Sequence, residues 1–341
     1  LDAVEGPDGY DKRGRLKVLM FDAKPYEADS FDTSDSDRVC ISPFRAPLDR
    51  DSVQAADGFM VICIFVNDTC DAEIVERLAD LGVELIALRS AGYNNVDLDA
   101  CRRRGIDVVR VPAYSPYAVA EHSVALMLML NRKLHIAYQR NRAGYFRLEG
   151  LTGFDMRGKN VGVVGTGKIG QCTIDILLGF GCNVLAYDKY PNDEVAARHG
   201  VEYVEPQRLL AESDIVTLHV PLFEDTYHLI NAEAIDLMKD GVMLINTSRG
   251  GLVDTRALIE GLKSGKVAAA GLDVYEEEAG VFFHDVSDML TDDVLARLLT
   301  FNNVIVTSHQ AFLTEEALAY IADTTLVNIC LLYTSPSPRD H

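Results

Sequence analysis

The 341-residue chain is 48% hydrophobic and carries 52 acidic against 32 basic side chains, a formal charge of −20. That length suits two domains with sizeable cores, and the charge speaks against nucleic acid or an anionic membrane surface as partner. No apolar run of membrane-spanning length stands out. Seven cysteines without a C-x-x-C pair read as reduced thiols, so neither a metal nor disulfides are expected and the setting is read as cytoplasmic.

In chain order, Leu1–Arg15 is a polar extension without the apolar core of a secretory signal; Leu1 is no initiator, so the start reads as incomplete or processed. Strand-like runs at Leu16–Phe21, Gly58–Val66, Glu84–Leu88 and Asp107–Val111 then alternate with helical segments such as Ala72–Leu81 and Asp97–Arg104, and the acidic cluster Asp29–Asp37 reads as a solvated face. This alternation predicts a small doubly wound, flavodoxin-like domain with a parallel sheet. A single long helix is expected from about Pro116 to Gln139, apolar around most of its circumference: core, an interdomain bridge or a dimer surface. Its His122 and His135 read as packing residues.

From Asn160 a second βα series runs through Asn183–Tyr187, Val201–Val204, Ile215–His219, Val242–Asn246, Ala268–Val274 and Val304–Thr307, about seven strands of a Rossmann dinucleotide-binding domain. The helical stretch Thr314–Ile329 follows that sheet and is expected to return to the first lobe. The second domain is thus inserted in the first: residues 16–114 with 311–329 for substrate, 115–310 for the dinucleotide, and a cleft between them for the reaction. The run Cys330–Asp340 reads as a translated sequencing adapter, with a native Ser/Pro-rich tail as the alternative, so residues 330–341 are left out of the fold and the natural sequence is expected to stop near Ile329.

The densest signal is strand Asn160–Val164, then Gly165-Thr166-Gly167-Lys168-Ile169-Gly170, then helix Lys168–Phe180 and strand Asn183–Tyr187 ending at Asp188. Glycines allow the tight turn and close approach of backbone to a pyrophosphate, the helix N-terminus supplies N–H donors, and the acid holds ribose hydroxyls. Ile169 after Gly167-Lys168 excludes a P-loop. A carboxylate at 188 favours NAD over its 2′-phosphorylated form, with Lys189 beside it as the counter-indication.

In an open parallel sheet, ligands bind outside the carboxyl ends of the strands, so the residues just after each strand carry the chemistry. These are His219-Val220-Pro221, Asn246-Thr247-Ser248-Arg249, Asp273 with Glu278, and Ser308-His309-Gln310. An arginine to clamp a carboxylate, a histidine to move a proton and an acid to orient its ring suffice for hydride transfer. Each has a plain structural alternative: a loop arginine, a solvated acidic run in Glu276-Glu277-Glu278, a capping or core histidine.

These motifs, with Phe65-Val66-Asn67-Asp68, Arg89-Ser90-Ala91-Gly92-Tyr93-Asn94-Asn95-Val96-Asp97, Val111–Pro116, Leu299-Thr300-Phe301 and His309–Phe312, resemble the D-2-hydroxyacid dehydrogenases of the fermentative D-lactate type over about residues 16–329. The resemblance implies a catalytic trio of Arg249, Glu278 and His309, Glu278 being chosen over its neighbours by the family's spacing alone. It also implies a substrate carboxylate held by backbone N–H groups at Ala91 and Gly92, a pocket shaped by Tyr114 and Phe312, and a homodimer built through the dinucleotide-binding domains. The expected reaction is NADH-dependent reduction of pyruvate to D-lactate. A bulkier 2-keto acid, or an NAD-responsive corepressor-like binding module, are the alternatives.

Overall fold

A computed structural model describes residues 9–33, 37–278, 281–283, 286 and 289–334. The chain divides into two compact units, one made of the residues up to Ser115 together with those from Leu313 onward, the other of Pro116–Phe312.

The first unit is built from β1 (Leu16–Met20), α1 (Pro25–Thr33), β2 (Val39–Pro43), β3 (Val61–Ile64), α2 (Ala72–Asp80), β4 (Leu85–Leu88), α3 (Leu98–Arg104), β5 (Asp107–Arg110) and a C-terminal helix. The strands form one parallel sheet in the order β2-β1-β3-β4-β5, the flavodoxin-like arrangement. Both faces are covered, which is why the strands read as continuous apolar runs. Leu19, Ile62, Ile64 and Ile86 pack with Ile74, Leu78 and Ala100 of α2 and α3 on one face. Val18, Met20, Cys63 and Ala87 pack with Phe31, Ala322, Leu326 and Ile329 on the other. Asp71 and Asp97 cap α2 and α3 by accepting from the Ile74 and Ala100 N–H groups at 3.0 and 2.8 Å.

The sheet has five strands where four were expected, the addition being the edge strand β2. Part of the acidic cluster read as a solvated face lies on α1, which buries Phe31, and residues 34–36 fall outside the described residues.

The second unit comprises α4 (Pro116–Asn131), α5 (Leu134–Arg142), β6 (Asn160–Val164), α6 (Lys168–Gly179), β7 (Asn183–Tyr187), α7 (Asp193–His199), β8 (Glu202–Tyr203), α8 (Pro206–Glu212), β9 (Ile215–Leu218), α9 (Ala232–Leu237), β10 (Val242–Asn246), α10 (Thr255–Ser264), β11 (Val267–Leu272), α11 (Asp293–Leu299) and β12 (Val304–Val306). Its parallel sheet runs β12-β11-β10-β9-β6-β7-β8, a Rossmann order with a seventh strand. The order reverses between β6 and β9, so the carboxyl ends of those strands flank the crevice where ligands bind. The fold class read from the sequence is borne out in both sheets.

The helix expected as one piece from Pro116 to Gln139 is two: Lys133 takes φ 50, a left-handed conformation that separates α4 from α5. α4 buries Val124, Leu126, Met127 and Leu130 in the second unit's core.

The C-terminal helix, α12, runs Glu315–Thr334, five residues past the point where the fold was expected to stop. Leu331 and Leu332 sustain the helix, Cys330 and Tyr333 pack on the core of the first unit, and the Tyr333 hydroxyl donates to Glu84 at 3.3 Å. Although no run of membrane-spanning length was expected, α12 meets that test of length and composition. Its buried face, with Ala322, Leu326 and Ile329, packs on the five-stranded sheet. A chain ended after Ile329 should be about 1–2 kcal/mol less stable than one ended after Thr334, through loss of the Tyr333 and Cys330 contacts, measurable by urea denaturation.

Candidate active site

At the carboxyl end of β6 the three glycines of the fingerprint meet different surroundings. Gly165 has φ +96 and lies so close to the His219 carbonyl that a Cβ would sit 2.6 Å from its oxygen. Gly170 packs α6 onto the turn, where a Cβ would come within 2.0 Å of the Gly165 carbonyl oxygen. Around Gly167 nothing lies within 4 Å of the Cβ position, which leaves open the side on which a pyrophosphate approaches the first turn of α6. The cradle fits a dinucleotide.

Asp188, just after β7, accepts from the Thr166 N–H at 2.7 Å and from the Tyr190 N–H at 2.9 Å, which fixes its carboxylate beside the glycine turn. Lys189 forms an exposed ion pair with Asp225, which partly offsets its charge beside Asp188. Replacing Asp188 with alanine is therefore expected to lower kcat/KM for NADH about ten- to a hundredfold, the loss of hydrogen bonds to a charged group, and to narrow the gap to NADPH. Equal use of both cofactors by the unaltered protein would contradict this assignment.

The next strand end presents His219, half-buried, with Nε2 3.0 Å from the Thr217 hydroxyl. Desolvation pushes its imidazole down to about 4, so the ring is neutral at physiological pH. Because the unfolded ring protonates near 6.5, the folded state binds fewer protons between these values, and His219 withdraws stability as pH falls through that window. A His219→Asn variant should show a flatter melting temperature between pH 6.5 and pH 4. After His219, the Val220 and Pro221 carbonyls accept from the Ser248 and Thr226 hydroxyls.

Asp273, at the end of β11, is fully buried and organises the turn that carries His309. Its carboxylate accepts from the Thr307 hydroxyl at 2.6 Å and from the Gln310 and Ala311 N–H groups at 2.8 and 2.9 Å. Its carbonyl takes the His309 N–H at 2.7 Å. Burial alone would push this carboxyl up; hydrogen bonds from His122, Thr307 and the Ala311 N–H outweigh it and hold the group below the usual carboxylate range. His309 is locked in this turn at φ 53. Its Nδ1 lies 2.8 Å from Glu278 Oε1, and Glu278 Oε2 accepts from the Tyr275 N–H at 3.1 Å.

The acidic run resolves by contacts. Glu276 faces away, bonded to His228, to the Tyr227 hydroxyl at 3.2 Å and to the Thr255 hydroxyl at 3.1 Å, while Glu277 is exposed. Glu278 is the member of the run that meets the His309 ring. Arg249 follows β10 on a loop pinned by Asn246, whose side-chain amide donates to the Arg249 carbonyl at 2.8 Å. One guanidinium nitrogen donates to the Ser248 carbonyl at 2.7 Å. The loop touches the acidic segment at Gly250, where a Cβ would stand 2.1 Å from the Tyr275 carbonyl oxygen, so only glycine lets the two segments approach. Thr247 is buried, its hydroxyl 2.7 Å from that of Ser123.

The second unit thus holds the glycine turn, Asp188, His219, Thr247, Arg249, Asp273, Glu278, His309 and buried Phe312. Ala91, Gly92 and half-buried Tyr114 belong to the first. There the Ala91 carbonyl accepts from Arg110 at 2.7 Å and the Gly92 carbonyl from the Ser90 hydroxyl at 2.8 Å, which holds the turn after β4. Two contributors were missed. His122, read as packing, has Nε2 3.1 Å from the Thr307 hydroxyl and 3.4 Å from Asp273, and Ser123 braces Thr247. The polar trio Glu121-His122-Ser123 inside an otherwise apolar helix was the available signal. Among the described residues no group of three or more histidine, cysteine or acidic side chains is arranged to hold a metal.

A nucleotide cradle joined to an arginine, an acid and a histidine at successive strand ends defines a nicotinamide-dependent oxidoreductase. Residues 124–311 match the family model described as D-isomer specific 2-hydroxyacid dehydrogenase, NAD binding domain. The chain is 50% identical over 316 residues to a 2-hydroxyacid dehydrogenase homolog of Haemophilus influenzae (92% of this chain, 95% of the relative). It is 49% identical over 316 residues to the D-lactate dehydrogenase of Escherichia coli (92% and 96%). A solved structure described as the pyruvate reductase of Chlamydomonas reinhardtii superposes with a TM-score of 0.91 at 48% identity, covering 96% of this chain and 98% of that one. The chain belongs to the D-isomer specific 2-hydroxyacid dehydrogenases, enzymes that work with NAD on small 2-hydroxy and 2-keto acids.

Proposed function

We propose that this enzyme interconverts pyruvate and D-lactate, with Arg249, Glu278 and His309 as its catalytic residues. The observation that carries the reading is the 2.8 Å contact between His309 Nδ1 and Glu278 Oε1 on a turn held by buried Asp273. With Nδ1–H committed to the carboxylate, Nε2 carries the transferable proton. Bound NADH supplies the hydride. His309 then gives the Nε2 proton to the developing alkoxide, Glu278 stabilises the imidazolium before transfer, and the remaining N–H groups of Arg249 hold the substrate carboxylate and polarise its carbonyl.

Pyruvate is favoured among 2-keto acids by the names of the bacterial and algal relatives. A panel of pyruvate, hydroxypyruvate, 2-ketoisocaproate and phenylpyruvate with NADH tests it: pyruvate should have the highest kcat/KM, and preference for a bulkier acid would move the assignment within the family. We further propose a cytoplasmic homodimer. The seven cysteines are free thiols, and exposed Tyr138, Phe146 and Leu148 on and after α5 form an apolar surface suited to a second copy.

A further inference from the structure

Two residues before Glu278, Glu276 makes a set of bonds that a solvated acidic run does not explain. Its carboxylate accepts from His228 Nε2, from the Tyr227 hydroxyl at 3.2 Å, and from the Thr255 hydroxyl and N–H at 3.1 and 3.4 Å. A carboxylate only accepts, so His228 Nε2 carries the hydrogen. Burial would push Glu276 up, but the bonds from His228 and Thr255 outweigh it and hold the group below the usual carboxylate range. His228 is itself fixed: it takes φ 50, a conformation disfavoured for a residue with a side chain, and its ring stacks on Tyr227 with centroids 3.9 Å apart. Such backbone strain persists only where the surroundings enforce it.

The partners come from three segments of the second unit, and all three meet at the Arg249 loop. The His228 and Ile230 N–H groups donate to the Gly251 and Leu252 carbonyls at 2.8 and 2.9 Å, and the Asp254 N–H returns to the Ile230 carbonyl at 3.0 Å. This is a short parallel pairing, with Ile230 opposite Val253, and a single turn at Gly250–Leu252 separates it from Arg249. Thr255 opens α10 directly after it. The third segment follows β11: it lies against Gly250, and it carries both Glu276 and Glu278. Asn246 therefore anchors the loop before Arg249, and the bonds of Glu276 anchor it after.

We propose that His228, Glu276 and Thr255 form a clamp that positions Arg249 for the substrate carboxylate by tying its loop to the segment that bears Glu278. The proposal rests on the reading of Arg249 as the residue that holds that carboxylate. All three act through the loop, which makes them positioning residues. Glu278 keeps its own bonds to His309 and to the Tyr275 N–H, so loss of the clamp leaves the proton-transfer pair in place. The expected signature is weaker substrate binding with an unchanged pH profile of kcat.

Oxamate, an analogue of pyruvate that is not reduced, is titrated into the full-length enzyme saturated with NADH, alongside steady-state kinetics. Glu276→Ala and His228→Leu should each raise KM for pyruvate and weaken oxamate about tenfold, the scale of a misplaced hydrogen-bonding cation, while kcat falls by no more than about threefold. NADH affinity, read from its fluorescence, should stay within about twofold, because the glycine turn and Asp188 lie at other strand ends. Glu276→Gln should recover most of the loss: its amide oxygen still accepts from His228, and its NH2 can donate to the Thr255 hydroxyl. Thr255→Val removes one hydroxyl at nearly constant shape and should raise KM about threefold, which keeps the test open where a larger change does not fold. Unchanged KM and oxamate affinity in the folded variants, or a parallel loss of NADH affinity, would overturn the proposal. Arg249→Lys separates it from the reading beneath it. Weakened oxamate in Arg249→Lys but not in the clamp variants sinks the clamp alone; intact oxamate affinity in Arg249→Lys sinks both.

Discussion

Replacing His309 with glutamine is expected to lower kcat/KM for pyruvate on the order of a hundredfold or more, the usual scale of general acid catalysis. Glutamine keeps a polar side chain of similar reach but supplies no transferable proton at the position that Asp273 and Glu278 fix. Reduction needs imidazolium and oxidation of D-lactate needs the neutral ring, so the two kcat/KM profiles of the unaltered enzyme should run in opposite directions with pH, and the variant should lose both limbs. Arg249→Lys should fail differently. Lysine keeps the charge but loses the planar fork, so KM for pyruvate rises as kcat falls. A His309→Gln enzyme with near wild-type turnover and an unchanged pH profile would remove His309 from the chemistry.

The second large effect concerns the first unit. Arg89 is wholly buried at the end of β4, its Nε 2.7 Å from Glu27 Oε1, one Nη 3.0 Å from the Asp22 carbonyl, and its guanidinium over the Phe65 ring at 5.2 Å. Burial pushes the guanidinium down, and the Glu27 carboxylate raises it above its ordinary value, so it stays charged. Glu27→Ala removes the carboxylate hydrogen-bonded to that charge, leaving buried Asp68 as a more distant acid, and should destabilise the protein by about 3–5 kcal/mol, roughly ten degrees in melting temperature for a unit of this size. The pair Glu27→Leu/Arg89→Met should recover most of the loss, because an apolar pair removes the buried charge along with its partner. A double variant no more stable than Glu27→Ala would show that the pair shapes the turn after β4 through geometry that apolar residues cannot replace.

What was legible in the sequence is local. The glycine turn and Asp188 are signalled by residues a few positions apart whose roles are set by backbone geometry. Both sheets were legible as apolar runs, because parallel strands covered on two faces have no polar side to disguise them. β2 was not, being a five-residue edge strand of mixed polarity, and the acidic residues of α1 obscured the one face that buries Phe31. The break at Lys133 has neither glycine nor proline to announce it. Glu278 could not be told from Glu276 by pattern, since the choice rests on His228 and Thr255, far away in sequence, engaging Glu276. The dual contact of His122 with Thr307 and Asp273 spans about 150 to 185 positions and has the same character.

The most direct test of the central claim is NADH oxidation by the purified enzyme with pyruvate, followed by chiral analysis of the product. Saturable turnover that yields D-lactate, with pyruvate preferred over 2-ketoisocaproate and phenylpyruvate, is the predicted result. Tight NADH binding without turnover of any 2-keto acid, or formation of L-lactate, would contradict the account.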